Sequence, residues 1–122
     1  MPTKEPYLLN RLKSIKYALK GVAVLLKKER SIQIQFVIAV FITVAGFYFK
    51  ISSLEWIAQI LAIGLVMSIE GLNTALEEFS DFVHPERHSK IGLIKDLAAG
   101  AVFIAAVAAV LIGLIIYIPK LT

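Results

Sequence analysis

Residues 54–81 read LEWIAQILAIGLVMSIEGLNTALEEFSD, an apolar run that passes into a polar one with no proline between them. The pattern predicts one continuous helix. Sixteen residues separate Leu54 from Glu70, about 24 Å along a helix axis, while the hydrocarbon core of a bilayer is about 30 Å thick. Glu70 therefore falls just inside one membrane boundary. Glu77, about 10 Å further along, emerges among headgroups and water. At about 100° per residue, Asn73, Glu77, Glu70 and Asp81 share an arc of about 80° and form a single polar stripe. Trp56, near the start of the run, stands where an interfacial aromatic anchor belongs.

The flanking sequence has the same character. Of 122 residues, 58% are hydrophobic and 18% charged, with no cysteine. A soluble domain is about 45 to 50% apolar and about 25% charged, so this balance excludes one. The lack of cysteine removes disulfides, thiolate-bound zinc or iron–sulfur sites and cysteine nucleophiles. A first span covers 31–49, with Gln33 and Gln35 near its start, and a second covers 54–82 including its polar extension. Residues 83–94 carry Pro85 and Gly92 and read as a loop. A third span, 97–118, is rich in alanine and glycine and is closed by Pro119 and Lys120. Upstream, residues 8–29 place Leu12, Ile15, Leu19, Val22 and Leu26 on a stripe that Lys13, Lys16, Lys20 and Lys27 avoid. That is an amphipathic helix lying in the interface plane rather than a signal peptide. The fold expected is an all-α membrane protein, three transmembrane helices plus this interfacial helix, in one domain over 1–122.

Eight of the thirteen basic residues, Lys4, Arg11, Lys13, Lys16, Lys20, Lys27, Lys28 and Arg30, precede the first span. Lys50 lies in the first loop, Arg87, Lys90 and Lys95 lie in or next to the second, and Lys120 follows the third span. The positive-inside bias puts the N-terminus and the second loop in the cytoplasm and the C-terminus outside. Glu29, the polar stripe, Glu86, Arg87, His88, Lys95 and Asp96 then share the cytoplasmic side. Intramembrane acids are costly and are functional candidates, although such groups also line helix contacts or ion paths. Carboxylates with an amide suit Mg2+, which takes one or two acids plus substrate phosphates, and lysine and arginine suit the phosphates. No phosphate-binding glycine loop or protein-kinase signature occurs, and nothing suggests a nucleic-acid partner. Glu78, about 80° from Glu70, reads as solvated. His84 has no evident role, and Lys27, Lys28 and Arg30 read as headgroup anchors.

The pattern Glu70-x-x-Asn73-Thr74-Ala75-x-Glu77-x-x-x-Asp81, followed by Lys95-Asp96-x-Ala98-Ala99-Gly100-Ala101-Val102 with Glu29 upstream, resembles the small bacterial diacylglycerol kinase and undecaprenol kinase family. The resemblance covers nearly the whole chain. It implies a homotrimer in the bacterial inner (plasma) membrane with active sites shared between subunits. It also implies transfer of the γ-phosphoryl group of ATP to a membrane lipid alcohol with Mg2+ as cofactor. On that resemblance Glu70 is the general base and lies with Ala99 at the lipid substrate, while Glu29 and Glu77 hold the metal. Tyr17, Glu29, Asn73, Glu77, Glu86, Arg87, His88, Lys95 and Asp96 are its nucleotide contacts. The chain departs from the diacylglycerol branch at Asn10, where that branch has arginine, and at Ala99, where it has serine. Ala98-Ala99-Gly100 and Val83-His84-Pro85-Glu86 look more like the undecaprenol kinases, so undecaprenol is favoured over diacylglycerol. A holin-like or small structural membrane protein would explain the hydropathy but not the stripe, and a small proton-coupled exporter would not explain Lys95-Asp96 or Glu29.

Overall fold

The computed structural model describes residues 6–86 and 88–122, which form four helices: α1 Tyr7–Lys28, α2 Arg30–Phe49, α3 Ser53–Val83 and α4 Ser89–Leu121. The last three are long and apolar enough to cross a membrane. The chain is therefore a multi-pass helical membrane protein.

A single extended residue, Glu29 (φ −100°, ψ 112°), separates α1 from α2. Its N–H donates to Leu25 O and its carbonyl accepts from Gln33 N, both at 3.0 Å, so the hydrogen-bond ladder continues across the bend. The amide of Gln33 donates to the carbonyls of Leu26 (3.0 Å) and Lys27 (3.1 Å). These are orphan acceptors at the end of a helix, and lipid offers them no alternative donor. The polar residue at the start of the span is thus a cap. At the opposite end, α2 stops at Lys50 in the left-handed region (φ 53°), where Ile51 N donates to Gly46 O at 3.1 Å. This satisfies the last carbonyls of the helix.

Ser52 starts α3 with a capping box: its hydroxyl accepts from Glu55 N (3.1 Å) and the Glu55 carboxylate accepts from Ser52 N (2.9 Å). Trp56 turns into the α2–α3 corner, its ring centroid 4.9 Å from that of Phe47. The indole lies so close to Gly46 that a Cβ there would come within 2.7 Å of its Cη2. It is a packing residue as well as an aromatic near the boundary. The 31 residues of α3 span about 46 Å, longer than the hydrocarbon core, so its polar end projects beyond it.

The expected loop over 83–94 is shorter than its break signals suggested, because α4 already begins at Ser89 and includes Gly92. His88 supplies the start: its Nδ1 accepts from Lys90 N at 3.1 Å, which nucleates the helix ahead of the glycine. Pro119 likewise does not close the helix, which runs to Leu121.

The most extensive packing is between α3 and α4, then between α2 and α3. Buried apolar side chains are small or few, namely Ile32, Ile51, Ala62, Ala105 and Ile116. Most large apolar side chains face outward, as expected where the surroundings are lipid or other apolar helices. At the Lys120 end, Tyr117 OH donates to Gln59 Oε1 (2.6 Å) and approaches Ile42 O (3.2 Å), while Gln59 Nε2 donates to Ile42 O (3.3 Å). The Lys120–Glu55 ion pair at 2.9 Å ties α4 to the start of α3.

Candidate active site

Because α2 and α3 run antiparallel, the first turns of α2 lie level with the middle of α3, and Glu70 points at them. Ser31 Oγ donates to Glu70 Oε1 at 2.8 Å, and Gln35 Nε2 donates to Glu70 Oε2 at 3.4 Å. Glu70 is 9% exposed. A buried carboxylate is tolerated only where donors satisfy it, and both donors here are neutral. One turn of α2 separates Ser31 from Gln35, so both reach the same carboxylate. Neither was singled out from the sequence as a functional residue. The available signal was a hydroxyl and an amide four residues apart at the head of an apolar run.

Further along α3, Asn73 Nδ2 donates to Glu77 Oε1 at 3.3 Å, and the buried Asn73 Oδ1 has no hydrogen-bond partner. The Asn73 oxygen without a donor, and the carboxylate whose one donor is the Asn73 amide, are hard oxygen acceptors of the kind a divalent cation takes. Among the described residues, no three His, Asp or Glu side chains converge into a metal-holding group. Glu29, half-buried at the α1–α2 bend, completes no such cluster with Glu70 and Glu77 inside one chain. One or two acids plus phosphate oxygens is nevertheless the usual protein share for Mg2+.

Asp81, the last member of the stripe, pairs with Lys95 at 2.7 Å and so binds the end of α3 to the first turns of α4. The adjoining Asp96 is exposed. His88 and Glu86 sit in the short α3–α4 connection, where His84 Nδ1 meets Glu86 O at 2.8 Å and the rings of His84 and His88 are 5.0 Å apart. Arg87 lies outside the described residues, as does Lys4. Tyr17 is exposed on α1, beside a groove of about 600 Å³ that α1 forms with Gly71, Thr74 and Ala75 of α3. Ala99 is exposed on α4. The geometry thus gathers Ser31, Gln35 and Glu70 into one cluster, Asn73 and Glu77 into a second on the same helix face, and Asp81 and Lys95 into a third. It leaves Tyr17, Glu29, Glu86, His88, Asp96 and Ala99 outside those hydrogen-bonded groups.

The chain is thus a helical membrane protein with a buried, hydroxyl-bonded acid about one helical turn from the start of an amide–carboxylate pair, a constellation that suits an integral-membrane enzyme. The comparisons identify which one. Residues 16–117 match the family described as prokaryotic diacylglycerol kinase, and the chain belongs to that family of lipid kinases. It is 39% identical to the undecaprenol kinase of Bacillus subtilis over 93% of each chain. It is 35% identical to a diacylglycerol kinase of Synechocystis over 92% of this chain and 65% of that one. It is 33% identical to the diacylglycerol kinase of Haemophilus influenzae over 80% and 83% respectively.

Proposed function

We propose that the protein transfers the γ-phosphoryl group of ATP to the hydroxyl of a membrane lipid alcohol, with undecaprenol favoured over diacylglycerol. The observation that carries this reading is Glu70, a buried acid held by Ser31 and Gln35 at the apolar edge of α3, about one turn from Asn73 and two from Glu77 of the amide–carboxylate pair. A lipid alcohol keeps its chain in the core and its oxygen at the boundary, which is the depth of Glu70. In the transfer, the lipid oxygen attacks the γ-phosphorus in line. The bond from that phosphorus to the bridging oxygen breaks, ADP leaves, and the hydroxyl proton passes to Glu70. Ser31 and Gln35 fix the carboxylate so that little reorganisation is needed.

Glu29 and Glu77 would hold Mg2+, which supplies charge neutralisation on the phosphates when bound. Asn73 would support the same oxygens through its unsatisfied carbonyl. Tyr17, Glu86, Arg87, His88, Lys95 and Asp96 would contact the nucleotide, and Ala99 would flank the lipid. α1 would lie in the interface plane, with the N-terminus and site cytoplasmic and the C-terminus outside the inner membrane. The assembly would be a homotrimer with shared sites. Preference for undecaprenol is supported by the identity to the Bacillus subtilis enzyme over nearly both whole chains.

Protein in detergent micelles, given labelled ATP, Mg2+ and either undecaprenol or diacylglycerol, is expected to produce labelled lipid phosphate, faster with undecaprenol. Label in neither lipid would end the kinase reading for these acceptors, and a faster rate on diacylglycerol would reverse the preference.

A further inference from the structure

The ion pair between Asp81 and Lys95 joins the end of α3 to the first turns of α4, and its side chains are 63% and 38% exposed respectively. An exposed pair contributes little to stability, because water screens it and two mobile side chains must be ordered to make it. The packing of α3 on α4 is in any case the most extensive in the chain. Holding the two helices together is therefore a weak reason for a contact as short as 2.7 Å.

Its consequence for Lys95 is larger. A lysine carries its charge on a flexible four-carbon stem and has three donors. Among the described residues Asp81 Oδ1 is the one hydrogen-bond partner of the ammonium, so the stem is anchored while two donors stay open. Asp81 lies one turn beyond Glu77, which puts their Cβ atoms about 5 to 6 Å apart. The tethered charge thus sits beside the Asn73–Glu77 pair. Both acids act on it, since the hydrogen bond to Asp81 and then the charge of Glu77 hold Lys95, ahead of the third span, above the ordinary lysine value. The lysine in turn offsets the charge of Asp81, and an anion approaching Glu77 meets a neutral pair instead of a second acid. Ordering the stem before a ligand arrives removes that cost from binding.

We propose that Asp81 is a positioning residue for phosphoryl transfer: it holds the Lys95 ammonium next to Asn73 and Glu77, with two N–H donors open to the phosphates of a nucleoside triphosphate. The proposal rests on the reading of Lys95 as a nucleotide contact. Asp81 acts on the nucleotide only through that lysine.

The test is the affinity of the full chain for Mg·ATP and for AMP, measured by calorimetry in lipid-free detergent micelles so that no variant needs turnover. Asp81→Asn keeps the shape and one acceptor oxygen but gives up the charge. It is expected to weaken Mg·ATP binding about tenfold and AMP binding less than about twofold, and Asp81→Glu is expected to recover most of the loss. In a Lys95→Met background the same change at Asp81 is expected to alter Mg·ATP affinity less than about twofold, because the group it positions is gone. Equal losses for Mg·ATP and AMP would mean that Asp81 merely supports the fold there, and would overturn the proposal. A loss that persists without Lys95 also overturns it, as does tighter Mg·ATP binding by Asp81→Asn, which would make the acid a trap for the lysine. If Lys95→Met weakens Mg·ATP binding and Asp81→Asn does not, the positioning role alone fails. If Lys95→Met leaves Mg·ATP binding unchanged, the reading of Lys95 as a nucleotide contact fails and takes the proposal with it.

Discussion

Glu70→Gln keeps the size of the side chain and an oxygen for the Ser31 hydroxyl, but its amide cannot take up a proton at neutral pH. If Glu70 is the base, the variant is expected to lose at least a hundredfold in kcat, within the range general-base removal commonly costs, while ATP affinity changes little. Glu77→Gln is expected to behave differently: the carboxylate beside the unsatisfied Asn73 oxygen disappears, so the Mg2+ and ATP concentrations needed for half-maximal rate should rise. Steady-state kinetics with Mg2+, ATP and lipid varied in turn distinguish the two. Near-normal turnover by Glu70→Gln would remove it from the chemistry. The stripe itself was legible in the sequence because helical periodicity is local, and Asn73–Glu77 is an i, i+4 pair. The donors that hold Glu70 were not, because Ser31 and Gln35 lie 39 and 35 residues away and only the packing of α2 on α3 brings them near.

At the level of elements, the corner between α2 and α3 is set by how closely the Trp56 ring sits against the backbone at Gly46. A Cβ there would sit 2.7 Å from Trp56 Cη2, 2.9 Å from its Cζ2 and 3.2 Å from Ile51 Cδ1. The indole is rigid and Ile51 is buried, so Gly46→Ala must displace the Trp56 ring or the helix that carries it. Overpacking of this kind costs about 1 to 3 kcal/mol. Gly100→Ala, where a Cβ meets nothing within 4 Å, serves as the comparison. Thermal unfolding in micelles is expected to show a lower midpoint for Gly46→Ala and essentially none for Gly100→Ala. Equal midpoints would mean that the corner relaxes freely. Element boundaries divide along the same physical line. Those ended by local chemistry could be read, as at Lys50 to Ser52, where charge and hydroxyls interrupt an apolar run. The start of α4 could not, because glycine and proline signal a break without saying which side of it the helix takes up, and the His88 cap decides that.

For the whole molecule, the distribution of acids bears on how many chains make one site. Three spans give a thin bundle whose large apolar side chains mostly face outward. Within it Glu70 is satisfied by α2, Glu77 by Asn73 and Asp81 by Lys95, and among the described residues no three ligating side chains form a metal group. If Glu29 of one copy acts with Glu77 of another, the two single variants Glu29→Gln and Glu77→Gln are each impaired at low Mg2+ and ATP yet complementary in mixed oligomers assayed there. Sites that draw both acids from different chains then include some in which both are intact. Co-reconstituting the two variants after dissociation in harsh detergent is expected to raise turnover at low Mg2+ and ATP above that of either variant reconstituted separately, with the gain greatest near equal amounts. If every site takes Glu29 and Glu77 from the same chain, no mixture contains an intact pair, and activity stays at the level of the separate variants at every ratio. The dependence of recovered rate on mixing ratio therefore distinguishes a shared site from a self-contained one, whichever lipid alcohol is supplied.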